Sequence, residues 1–190
     1  KENVRIEILE KLNPQKEKLL LYYRSEKRSD LIRAKKLYPK IYPLLTQWSI
    51  VSDEKMEIIP TESDLIRQVK KSFANPVDYE IFWMDDSFFS QQAKSFLQKR
   101  LMEVGYIKGE SAVKIKIKGH IIQKDVRMNV PGFMKKSYHL EIISRKEGTK
   151  IGHILFRTQA AGRMEAQLDH RALEEIKKHI NDHIEDLNID

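Results

Sequence analysis

Cysteine is absent from the 190 residues, which excludes disulfides, thiolate nucleophiles and cysteine-bearing zinc sites and suits either a cytosolic or a periplasmic address. No apolar run approaches the roughly 20 residues that cross a bilayer, and the opening KENVRIEILEKLNPQ has no apolar core of the kind an export signal needs. The chain opens on Lys1 instead of Met, which leaves room for an export signal or lipid anchor removed ahead of it. Such an anchor is the one expected route to a membrane. No motif of a catalytic, cofactor or metal site stands out, so none of the three is assigned and the chain is read as non-enzymatic.

What is present is charge and an ordinary apolar content. Hydrophobic residues make up 41% of the chain, enough for a packed core and too much for general disorder. The formal net charge is +7, unevenly spread. Residues 108–150 carry 11 basic and 4 acidic side chains, residues 14–50 carry 9 and 3, and residues 163–190 reverse the sign with 4 and 8. Basic stretches of this kind attract nucleic acid, anionic lipid or acidic proteins, and they also keep proteins soluble.

The first 75 residues read as helical. Asn13 and Pro14 make a cap and first-turn pair for a helix through LLLYYRS. A second helix begins at Ser29 with Leu31, Ala34, Leu37 and Tyr38 at helical spacing, and Pro39 and Pro43 are expected to kink or end it. Joined by SEKRSD, the two form an αα-hairpin. Thr61 and Asp64 stand at capping-box spacing before the stripe Leu65, Ile66, Val69 and Phe73. Asn75 and Pro76 then break the pattern, placing a boundary between a helical segment (1–75) and a second domain (76–190).

From Val77 the periods alternate between strand and helix. VDYEIFWM is a strand, and DDSFFSQQAKSFLQKRLMEVG a helix burying Phe89, Ala93, Phe96, Leu97, Leu101 and Val104 and closed by Gly105. AVKIKIKGHIIQKDV is a second strand. A hairpin follows, FMKKSYHLEIISR and IGHILFRT about the turn at Glu147, Gly148 and Thr149. AAGR bends into a last helix with Leu168, Ala172, Ile176, Ile180, Ile184 and Leu187 on one face. The expected fold is α+β: a βαβββα two-layer sandwich with a mixed sheet, preceded by the helical segment.

The runs FLQKRLMEVGYIKGESAVKIKIKGHI, SYHLEIISRKEGTKIGHILFRTQAAGR and ALEEIKKHINDHI together resemble a recurrent bacterial envelope domain. It is the domain of the lipoproteins that activate penicillin-binding proteins, flagellar assembly protein T, the curli-secretion lipoprotein and the amino-terminal part of TolB. The resemblance spans residues 76–185, with EGTK at 147–150 and AAGR at 160–163 carrying most of it, both more basic and less glycine-rich than the family pattern. It implies the same fold, a periplasmic or inner-face outer-membrane address, and adaptor work on envelope proteins without catalysis.

Lys114, Lys116 and Lys118 alternate with Val113, Ile115 and Ile117. If helices cover the isoleucine face, the lysines form a basic surface in solvent. A nucleic-acid platform would interleave aromatics, which this strand lacks, although Tyr138 and Phe156 lie on neighbouring strands. His179 and His183, four apart on one helical face, would need Glu175 or Asp186 to hold a metal, and surface histidines are the simpler reading. Asp85, Asp86 and Ser87 read as a helix cap, and Trp48, Trp83, Phe88 and Phe89 as core. GHI recurs at Gly119 and Gly152 with different flanks. For the partner-binding patch, an apolar centre with a charged rim, the expectation is the hairpin with Tyr22, Tyr23, Tyr38, Tyr42 and Trp48. The leading function is an envelope adaptor, and the alternative is a basic nucleic-acid-binding module.

Overall fold

The computed structural model describes residues 2–52, 56, 60–73, 77–107 and 114–190. The break at Asn75 and Pro76 and the strand position Val113 lie outside them. Backbone packing divides the chain into two compact units, Lys1–Ala74 with Asp190, and Asn75–Ile189.

In the first unit, α1 (Glu2–Ser25) packs on α2 (Arg28–Val51), and α3 (Glu62–Ser72) packs on α2. Two boundaries differ from expectation. Pro14 lies inside α1 and Asn13 caps nothing, while α2 runs unbroken through both Pro39 and Pro43 to Val51. A proline in a helix interior loses one amide and presses on the preceding turn, at a cost of about 3 kcal/mol. Packing offsets it, because Leu12 and Leu19 on α1 and Ala34 and Ile41 on α2 are fully buried on either side of the prolines. The link is correspondingly short, with only Glu26 and Lys27 outside helix, Glu26 in the left-handed region at φ 56°. Thr61 and Asp64 do make the reciprocal capping box at the start of α3. The buried guanidinium of Arg28 donates to the Ser72 carbonyl at its other end, where a cation meets the free carbonyls of the last turn.

The second unit is a four-stranded mixed sheet in the order β1 (Tyr79–Trp83), β2 (Ile115–Asp125), β3 (Met134–Lys146), β4 (Thr149–Gly162). β1 runs parallel to β2, and the other pairs are antiparallel. Helices α4 (Phe88–Glu103) and α5 (Glu165–His183) pack on each other and on the sheet, giving the two-layer sandwich. Ala93, Leu97 and Leu101 of α4 meet Ile115, Ile117, Leu140, Ile142 and Ile154 of the sheet and Leu168, Ala172, Ile176 and Ile180 of α5 in one buried layer. Phe96 is only half-buried. Gly105, at φ 87°, ends α4: its amide reaches the Met102 carbonyl while that of Tyr106 reaches Leu101, the pairing of a Schellman cap.

The β3–β4 turn uses Glu147 and Gly148, both at positive φ, as a two-residue turn needs to follow strand twist. Nearby, Ser144 pairs with Gly152 but Arg145 with Lys150, so Ile151 is an extra, bulged residue. A closing 3-10 turn, Ile184–Leu187, lies over this point. Asn188 donates to the Ile151 carbonyl at 2.8 Å, Ser144 donates to that of Leu187, and a Cβ on Gly152 would stand 2.3 Å from Leu187 backbone. Gly119 serves a comparable purpose against the Trp83 ring, so each glycine of the recurring GHI permits a close approach. The AAGR bend falls later than expected. Ala160, Ala161 and Gly162 still pair with β3, and the chain turns at Arg163 and Met164.

Candidate functional site

Both helices cover one face of the sheet, so alternation sends every second side chain of each strand to the other face. Register arranges those side chains in rows. Glu80, Lys116 and Arg145 form one; Phe82, Lys118, Ile143 and His153 the next; then His120, Glu141 and Leu155; then Ile122, His139 and Arg157. Beyond lie Lys124, Ser137 and Gln159.

The middle rows are unusually apolar for a wet face. Phe82 is 44% exposed, Ile122 44% and Leu155 51%, and Met84, just past the end of β1, is 73%. Basic side chains frame them: Lys114, Lys116 and Arg145 at one end, Lys124 and Arg157 at the other, with Lys118 inside. Two carboxylates stand in the rows and both are engaged, and Asp78, just ahead of β1, lies near Lys114. Glu80 pairs with Lys114, a hydrogen bond that raises the lysine pKa. Glu141 sits between two imidazoles, with Oε1 2.9 Å from His153 Nε2 and Oε2 3.6 Å from His120 Nε2. The described rows therefore present an apolar middle and a basic frame, with Glu80 and Glu141 both engaged.

The aromatic residues singled out in the sequence fare differently. Tyr22, Tyr23 and Tyr38 pack against the core of the first unit, and Trp48 is 6% exposed. Of the five, Tyr42 alone is open, at 63%. These residues do not form the expected exposed patch, because amphipathic helices spend their large aromatics on one another. Phe88 departs in the opposite sense: expected in the core, it is 81% exposed at the start of α4, while its neighbour Phe89 is buried and stacks on Tyr138 at 5.3 Å. Lys116 and Lys118 lie in solvent, between buried Ile115, Ile117 and Gly119.

The polar candidates are occupied structurally. Asp85 accepts from the Ser87 amide at 3.0 Å and the Ser90 hydroxyl at 2.6 Å, Asp86 accepts from Gln91, and Ser87 caps α4. Burial pushes the Asp85 pKa up, but the hydrogen bonds from Ser87 and Ser90 outweigh it and hold the carboxyl below its ordinary value. His179 stacks between Phe156 (4.2 Å) and His183 (4.3 Å), His183 contacts Asp186 at 3.0 Å, and Glu175 accepts from Thr158. Burial, then the neighbouring His183, lowers the His179 pKa. Among the described residues no group of three or more His, Asp or Glu stands in metal-binding array, and no helix is long and apolar enough to cross a membrane.

The sequence marks this face only by its basic surface at Lys114, Lys116 and Lys118, yet a signal for its apolar middle exists. Ile121–Ile122, Ile142–Ile143 and Ile154–Leu155 are apolar doublets. In a strand, one member of a doublet must face away from the helices.

Four strands with two helices on one face define an α/β two-layer module, and no described helix of that unit covers the other sheet surface. No family model matches the chain, and no curated protein matches its sequence. Among solved structures it is similar to a minor lipoprotein from Acinetobacter baumannii, at 10% identity and a TM-score of 0.39, over 58% of this chain and 91% of that one. It is also similar to rare lipoprotein B from Shewanella oneidensis, at 10% identity and a TM-score of 0.34, over 58% and 90%. Likeness at TM-scores below 0.5 carries no conclusion about what this chain does.

Proposed function

We propose that the chain is a non-enzymatic adaptor of the bacterial cell envelope, and that it docks a protein partner on the open face of its sheet. The observation that carries the docking surface is its anatomy: large exposed apolar side chains in the middle rows and basic ones around them, the arrangement of a protein interface with a charged rim. The partner is a protein with an apolar patch rimmed by Asp and Glu, because both acids of the rows are already engaged and the charge around the apolar middle is mainly positive. The envelope address rests on the sequence resemblance of residues 76–185.

A nucleic-acid partner is the competing reading, and Phe82 is the single aromatic of the sheet rows on this face. Two experiments separate them. A photoreactive residue at position 155 should give a discrete protein adduct in the envelope fraction, lost on Phe82→Asp, whereas one at Lys178 on the helical side should not. Oligonucleotide binding should vanish at about 0.15 M salt, where exposed charges are screened beyond about 8 Å. Submicromolar oligonucleotide affinity at that salt, or a full-length gene product confined to the cytosol, sinks the adaptor reading.

A further inference from the structure

On the helix-covered side, the first turns of α4 and α5 leave a cavity of about 450 Å³ over the far end of β2. That volume falls within the range of small-molecule sites, about 300–1,000 Å³. Phe88 and Gln92 line it from α4, Ala166, Asp169 and Leu173 from α5, while Gln123 of β2 and the buried ring of Phe89 also border it. Register sets Gln123 opposite Tyr138, the tyrosine on which Phe89 stacks.

Its polar groups point to one chemistry. Asp169 accepts the Tyr138 hydroxyl on Oδ1 at 2.7 Å, and among the described residues its Oδ2 has no hydrogen-bond partner. The side-chain amides of Gln92 and Gln123 likewise make no hydrogen bond there. No Lys or Arg is among the described lining residues, and Lys136, whose ammonium interacts with Asp169, is bonded to Glu165. The one basic side chain among the described lining residues is the exposed imidazole of His170, so an anionic ligand would meet a carboxylate and no fixed cation. The positive ends of the two helices would oppose a cationic one, but Asp85 and Ser87 offset that of α4 and the Asp169 carboxylate lies within the first turns of α5.

We propose that this cavity binds a small amphipathic amine, a flat apolar ring carrying a primary ammonium. The ring would pack among Phe89, Leu173 and the exposed Phe88. The three N–H donors of an ammonium match three acceptors, Asp169 Oδ2 and the amide oxygens of Gln92 and Gln123. This site lies on the opposite face of the sheet from the docking surface and stands or falls independently of the adaptor reading.

The test is a titration of the full chain, followed by NMR, with phenethylamine, its N-acetyl derivative and phenylacetate. The amine should bind about fivefold tighter than the N-acetyl compound, the weight of a partly solvated ion pair, and phenylacetate weakest of the three. Asp169→Asn keeps an acceptor for Tyr138 and should bring the amine down to the N-acetyl level. Ala166→Trp, at an exposed position, should block all three by filling the space. Equal affinity for the three probes, binding of none, or amine affinity untouched by Asp169→Asn overturns the proposal.

Discussion

Neighbouring residues of the same type carry opposite burdens here. Phe88 and Phe89 are adjacent in sequence and border one cavity, yet the first stands exposed at its rim and the second is buried against Tyr138. Composition and spacing cannot separate them, because the first residue of a helix has no full turn behind it to set its face. His179 shows the same dependence on context. Its stacking on Phe156 and partial burial favour the neutral ring, so the folded chain takes up this proton at lower pH than the unfolded chain does. The sign follows from linkage: the contribution is present above the ordinary value of 6.5 and is lost as pH falls through the folded value. His179→Phe keeps a ring on Phe156 and removes the titration. Its melting temperature should fall less than the parent's between about pH 7 and pH 5. Identical pH slopes would mean that His179 titrates freely.

At the level of elements, the strands and α4 and α5 were legible because each carries one dominant period. Ile115 and Ile117 against Lys116 and Lys118 need only alternation, and Leu168, Ala172, Ile176 and Ile180 need only a helical stripe. No helix begins at Pro14 and none ends at Pro39 or Pro43, where a local cost points one way and a tertiary stripe the other. Leu31, Ala34, Ile41 and Trp48 continue one buried stripe across Pro39 and Pro43, and packing along its whole length outweighs the broken bonds. Pro14 is then a defect tolerated within α1. Pro14→Ala should restore an amide donor for the Glu10 carbonyl and stabilise the first unit by about 1–3 kcal/mol, read from denaturant melts. Loss of stability would show that the helix is shaped around the proline. At the same level the open face is legible by its lysines and not by its apolar middle: the doublets at 121–122, 142–143 and 154–155 look like excess core until the sheet is known to have helices on one side only.

For the whole molecule, the second unit has the makings of an independent domain. Its sheet and two helices share one buried layer that includes Leu101, Ile117, Leu140 and Ile176. Residues 77–189 expressed alone should unfold in a single cooperative urea transition with near-ultraviolet dichroism intact beforehand. A fragment without fixed tertiary signal would show that the core is incomplete. The last part of that domain to be synthesised is also the part that reads its register. Asn188 finds the bulged carbonyl of Ile151, and the Leu187 backbone fits only where Gly152 has no side chain. A hairpin slipped by one residue would offer Ile151 or His153 at that spot. The closing turn thus acts as a key cut for one pairing of the hairpin, so that a slipped register forfeits its contacts.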